Sequence, residues 1–235
     1  MRLAALRQKN GLILHDADSL CDAPGTHQID AELFTSDYWR ERGLIVGEAP
    51  GRGSSLFLQA TPTEQWVLRP YRRGGMAAKV SQQRYLWTGA ERTRAFRELR
   101  LTATLFEQGL PVPRPVASCV TRYGLTYEAA LITVRIASAK ALAELLINEL
   151  ADDALLQQVG MMIRRFHQAG LDHVDLNARN ILVDLSGAPW LIDLDRCRLR
   201  DPGKWQANNL ARLERSLLKF SDGSLMPAVY RGYHR

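Results

Sequence analysis

Cysteine is scarce: the 235-residue chain holds three, Cys21, Cys119 and Cys197. Their number is odd, their spacing wide, and no CxxC pair occurs, which excludes a disulfide framework and a Cys-based zinc site. They read as free thiols in a reducing cytoplasm. Long apolar runs are missing as well, and none approaches the roughly 18 residues that cross a bilayer. The basic start, Met1 to Asn10, is not followed by an apolar stretch long enough for a secretion signal. Internal repeats and low-complexity segments are absent. A soluble or peripheral globular protein is expected.

What is present is an ordinary globular composition with a basic bias. Hydrophobic residues make up 46% and charged residues 24%, enough to build a core without staples. Lys and Arg number 31 against 25 Asp and Glu, a formal net charge of +6. That excess suits an anionic partner: nucleotide phosphates, nucleic acid or an acidic membrane face. No nucleic-acid recognition motif accompanies it, so nucleic acid is not expected as a partner.

Residues 1–43 read as a loosely organised extension, with a short helix near residues 37–42 carrying Trp39, which is open to an interfacial or a packed role. Strands are predicted at 44–47, 56–58 and 66–68, the first two flanking a glycine-rich turn. An Arg-dense segment follows, from Arg69 to Arg94. Phe96, Leu99, Ala103 and Phe106 then recur at helical spacing, Gly109 ends the helix, and Pro111, Pro113 and Pro115 forbid its continuation. Two more strands fall at 116–120 and 129–136. A second long helix covers 152–169, a short hairpin 181–192, and a last helix 204–220. This order predicts an α+β, bilobal fold: an antiparallel-sheet N-lobe over 44–136 and a short, mainly helical C-lobe over 137–235.

The chemistry concentrates in His173-Val-Asp175-Leu-Asn-Ala-Arg179-Asn180, followed after an apolar strand by Asp193. This pair resembles the catalytic loop and metal-binding aspartate of protein-kinase-like enzymes, HRDLxxxN and DFG. The resemblance implies ATP and Mg²⁺ as cofactors. Asn180 and Asp193 are then the metal ligands, and Asp175 accepts the hydrogen bond, later the proton, of the attacking hydroxyl. His173 is expected to brace the loop, and Arg179 and Asp195 are candidate phosphate or metal contacts. Gly51, Arg52 and Gly53 form a glycine loop able to cradle phosphates, although the GxGxxG spacing is absent. Arg69 stands where such enzymes carry the strand Lys, and Glu98 is its expected helix partner. Arg bridges a carboxylate and a phosphate through a planar fork, so the exchange is not like for like. Lys79 is the alternative cation.

The resemblance narrows on Gly51-Arg-Gly53-Ser-Ser-Leu-Phe-Leu, Leu68-Arg-Pro-Tyr-Arg-Arg-Gly74-Gly75, Gly109-Leu-Pro-Val-Pro-Arg-Pro and Leu191-Ile-Asp-Leu-Asp195. These segments are similar to the 3-deoxy-D-manno-octulosonic acid (Kdo) kinases of Gram-negative bacteria. Such a likeness implies ATP-dependent phosphorylation of a Kdo hydroxyl on the lipid A precursor during lipopolysaccharide core assembly. It also implies peripheral association with an anionic membrane surface, the cytoplasmic face of the inner membrane. Arg72, Arg73, Lys79 and Arg84 are candidate contacts to the acceptor's acidic groups, and no obligate protein partner is inferred. The alternatives are a lipopolysaccharide heptose kinase, an atypical small-molecule or protein kinase, and a non-catalytic pseudokinase. Little chain follows Asp195 to form a peptide-docking platform, which disfavours a protein acceptor. Retention of Asp175, Asn180 and Asp193 disfavours the pseudokinase, although Arg69 keeps it open.

Overall fold

The computed structural model describes residues 1–20, 28–49, 55–71, 85–221 and 225–235. The chain divides into two compact units, Met1–Ala103 with Arg114–Arg135, and Thr104–Pro113 with Ile136–Arg235.

The first unit is built on an antiparallel sheet. Its strands are β1 (Leu3–Gln8), β2 (Gly11–Asp16), β3 (Ile45–Glu48), β4 (Leu56–Gln59), β5 (Gln65–Pro70), β6 (Tyr85–Leu86), β7 (Pro115–Tyr123) and β8 (Thr126–Val134). The order is β1-β2-β7-β8-β5-β4-β3, with β6 added to β8. Successive residues of β8 feed opposite faces, which explains its unbroken apolar run. Ala130 and Ile132 join a core with Trp39, Trp66, Leu58 and Val116. Ala129 and Leu131 join another with Phe96 and Leu99 of helix α3 (Arg94–Glu107). Helix α1 (Ala17–Leu20) and helix α2 (Ser36–Glu41) complete the unit. Trp39 is packed, its indole N–H donating to the Leu33 carbonyl at 2.8 Å, and has no interfacial role.

Part of the expected extension belongs to this sheet. Leu3–Gln8 and Gly11–Asp16 form a hairpin, and β2 pairs with β7 from Gly11↔Thr121 to His15↔Ala117. The stretch 1–16 looked loosely organised because its apolar runs, Leu3–Leu6 and Leu12–Leu14, are short. Its burial comes from β7, a hundred residues away.

The second unit holds α4 (Leu142–Ile147), α5 (Asp153–Gln168), α6 (Lys204–Leu217) and α7 (Met226–Tyr233). Short strands connect them: β9 (Lys140–Ala141), β10 (Leu171–Asp172), β11 (Ile181–Val183), β12 (Pro189–Leu191) and β13 (Arg198–Leu199). Helix α7 is not foreshadowed by the sequence pattern. It packs on α5 through two glycines: a Cβ on Gly160 would lie 2.0 Å from the Val229 carbonyl oxygen, and one on Gly232 1.9 Å from that of Gln157. Only the absence of a side chain permits this approach.

Candidate active site

Strand β10 ends at Asp172 and releases the chain into the loop that carries His173, Asp175 and Asn180, before β11 resumes it. Asn177 folds the loop on itself, its Oδ1 accepting from the backbone N–H of Arg179 at 2.9 Å and of Asn180 at 3.2 Å. The side-chain amides of Asn177 and Asn180 both donate to the Asp175 main-chain carbonyl, at 2.9 and 3.0 Å. The Asp175 carboxylate takes no part in this bracing and is exposed. Asn180, donating through its amide nitrogen, keeps its carbonyl oxygen for other work.

The same loop is tied to the end of β12. The Ile192 N–H donates to the Asn180 carbonyl at 3.0 Å, and the Ile192 carbonyl lies 3.1 Å from His173 Nε2. A carbonyl only accepts, so Nε2 carries a proton and donates it to this bond. Burial lowers the pKa of His173, which favours the neutral ring. Asp193 follows Ile192 directly, with φ of 61° turning the chain sharply after the strand. His173, Asp175, Asn180 and Asp193 are thus gathered at one place in the second unit. His173 braces the loop, as expected.

Beneath them lies a network that the sequence did not announce. Asn209 of α6 accepts from the His173 N–H at 2.9 Å and donates to Asp172 Oδ1 at 3.0 Å and to the Trp205 carbonyl at 2.8 Å. Arg200 completes it by donating to Asp172 Oδ2 at 3.0 Å. Burial works against a charge on Asp172, yet the hydrogen bonds from Asn209 and Arg200 more than offset it, holding the carboxyl below its usual range. The available signal was a polar residue on the buried stripe of an amphipathic helix, between Trp205 and Leu213.

The remaining candidates separate. Arg179 is exposed, its guanidinium 5.5 Å from the Phe220 ring centroid. Asp195 is half-buried, 3.9 Å from Arg196 Nε. His167, buried against Trp205 and Tyr233, is pushed down to about 4 by burial. It belongs to the packing of α5. Cys119 and Cys197 are free and buried, and burial pushes the Cys119 thiol up to about 11, which makes it inert. Cys21 lies outside the described residues.

In the first unit, Arg69 at the end of β5 donates to Glu98 Oε1 of α3. The other carboxylate oxygen accepts from the Tyr71 hydroxyl. Glu98 is only 4% exposed, so it is a buried charge held by two donors rather than a solvated helix residue. Arg69 is partly exposed, and its guanidinium lies 4.8 Å from the Tyr71 ring centroid. Tyr71 was inside the quoted Arg-Pro-Tyr segment but was not singled out. Gly51, Arg52, Gly53, Arg72, Arg73, Lys79 and Arg84 lie outside the described residues.

Both halves of this arrangement have relatives. Residues 36–231 match the model of the lipopolysaccharide kinase (Kdo/WaaP) family. The 3-deoxy-D-manno-octulosonic acid kinase of Xylella fastidiosa (strain M12) is 45% identical over 228 residues, covering 97% of this chain and 88% of the relative. That of Xanthomonas campestris pv. campestris (strain B100) is 47% identical over 226 residues, covering 96% and 87%. The solved structure of WaaP in complex with acyl carrier protein superposes with a TM-score of 0.57 at 18% identity, covering 100% of this chain and 89% of that one, a likeness of fold. With a kinase-like loop in place and likeness along nearly its whole length, the chain belongs to the lipopolysaccharide kinase (Kdo/WaaP) family.

Proposed function

We propose that the chain transfers the γ-phosphoryl group of ATP to a hydroxyl of a Kdo sugar on a lipid A precursor. The observation that carries this reading is the gathered loop, in which Asp175 is exposed while Asn180 is bonded through its backbone to Ile192, the residue before Asp193. Relatives named as Kdo kinases, alike over nearly the full chain, point to the acceptor.

In this mechanism Asp175 orients the acceptor hydroxyl and takes its proton as the phosphorus–oxygen bond forms. The oxygens of Asn180 and Asp193 suit Mg²⁺, a hard cation that protein holds through one or two side chains while phosphates and water complete its shell. A cation held there would neutralise charge on the triphosphate. Arg69, held by Glu98 and Tyr71, is the first unit's candidate cation for a phosphate. Because the transition state is loose, positioning and electrostatics account for most of the rate. Incubation with ATP and a Kdo-bearing lipid A precursor should add one phosphate to the Kdo portion in the product's mass spectrum. Phosphate on a heptose-bearing core instead would select the heptose-kinase reading, and no transfer to either would remove both.

Peripheral binding to the anionic inner leaflet is part of the same proposal. At the β7–β8 tip Leu125 is 80% exposed, and Leu86 of the adjoining β6 is 70% exposed. Tyr123 is exposed beside them, and Arg122 stacks 5.3 Å from the Trp87 ring centroid. The Arg122 N–H donates to the Asn10 carbonyl at 2.7 Å, which brings the β1–β2 turn with exposed Lys9 alongside. Apolar tips, interfacial aromatics and basic neighbours together fit a bilayer surface rich in acidic lipid. Replacing Leu86 and Leu125 by Ser should weaken co-sedimentation with phosphatidylglycerol vesicles about tenfold, the value of partly burying two leucines. Binding that is unchanged would place the membrane contact elsewhere.

A further inference from the structure

The segment after Asp193 carries Arg at alternate positions, Arg196, Arg198 and Arg200. Its course is set by the Cys197 N–H bonding back to the Leu194 carbonyl at 3.0 Å and by a left-handed Arg196, φ 60°. The chain then returns as β13, antiparallel to β10, with Arg198 opposite Asp172. Asp172 lies three residues before Asp175, a separation of no more than about 11 Å even in extended chain. The ladder therefore sets Arg198 beside the loop that carries the candidate base.

Of these three guanidinium groups, only that of Arg200 is hydrogen-bonded to a described residue. Arg200 donates to Asp172 at 3.0 Å, and Asn209 occupies the other oxygen. Arg198 stands 3.8 Å from Asp172 and Arg196 3.9 Å from Asp195, both beyond hydrogen-bond length. Their side chains are 58% and 72% exposed, and neither donates a hydrogen bond to a described residue. Each faces a mostly buried carboxylate, 7% and 14% exposed, at ion-pair range without a hydrogen bond, so the N–H donors of both arginines stay available to a ligand. A guanidinium fork is shaped for an oxyanion, which it grips through two parallel N–H donors.

We propose that Arg196 and Arg198 form an anion subsite that binds the carboxylate of the acceptor sugar while its hydroxyl faces Asp175. The proposal rests on the acceptor assigned above. It gives the second unit its own determinant for a sugar acid, separate from the lipid's phosphates and from the nucleotide.

The test is steady-state kinetics of R196Q/R198Q and R198K with ATP and a Kdo-bearing lipid A precursor. The double variant should raise the acceptor KM about 10- to 100-fold while the KM for ATP stays within twofold. R198K, which keeps the charge and loses the fork, should fall between. An acceptor whose Kdo carboxylate is converted to an amide should lose the same factor with the wild-type protein and nothing further with the double variant. If that loss of coupling appears with a dephosphorylated lipid instead, the subsite takes phosphate and the carboxylate assignment is overturned. An unchanged acceptor KM, or an ATP KM raised equally, overturns the subsite while wild-type transfer leaves the function standing. A wild-type protein that does not phosphorylate the Kdo acceptor overturns both. Because both side chains are exposed, unchanged melting temperatures are expected. Should the double variant fail to fold, R198K against wild type reads the same comparison.

Discussion

Asp175→Asn should lower kcat by about 10²- to 10⁴-fold, the range of a positioned general base, while leaving the fold and nucleotide affinity intact. The structure makes this a clean substitution. The loop is braced through the main-chain carbonyl of Asp175, which accepts from Asn177 and Asn180, and not through its carboxylate. An amide side chain therefore removes the proton acceptor without removing a strut. The substitution should leave the melting temperature within about 2 °C, since exposed changes of this kind stay within ±0.5 kcal/mol. Phosphate transfer followed by mass spectrometry, beside nucleotide binding measured by calorimetry, checks both halves. A variant that retains more than a tenth of wild-type turnover would move the base elsewhere.

Asn209→Ala should show the complementary pattern, with large effects on stability and rate together. Its side chain satisfies the His173 N–H and one oxygen of Asp172 in a buried setting, and it ties both to α6. Removing it strands those groups at about 1–3 kcal/mol each, with a total on the order of 3 kcal/mol. For a chain of this size that corresponds to a fall in melting temperature of roughly 6–12 °C. Because His173 also holds the Ile192 carbonyl beside Asp193, kcat should drop well below the melting temperature, with a smaller change in the KM for ATP. A thermal scan and kinetics at 20 °C read the two effects. A melting temperature within 2 °C of wild type would show that the network is not a support of the loop.

The two variants differ because the site has two kinds of residue, and these were not equally legible. Asp175, Asn180 and His173 lie within eight consecutive positions, and Asp193 ends a strand a short way on, so their grouping is a local property of the chain. Glu98 was named, but its near-complete burial was not foreseen, since the helix pattern shows only which face is apolar. Tyr71 and Asn209 were passed over. A tyrosine two residues from an arginine, or an asparagine in a helix, has no meaning until a partner 27 or 36 residues away arrives. The hairpin of β1 and β2 was missed for the same reason, and so was α7, whose contact with α5 depends on bare backbone at Gly160 and Gly232.

The sequence by itself determined which carboxylates and amide stand in a kinase-like loop, and where the main strands and long helices run. Hydrophobic period, turn residues and a contiguous motif are short-range signals, written within a few turns of chain. Only the tertiary structure decided which groups hold that loop in place, which of the nearby arginines are spent on structure, and that the first strands complete the sheet. Those outcomes depend on hydrogen bonds and close packing between residues far apart in the chain, and such contacts exist only once the chain has folded.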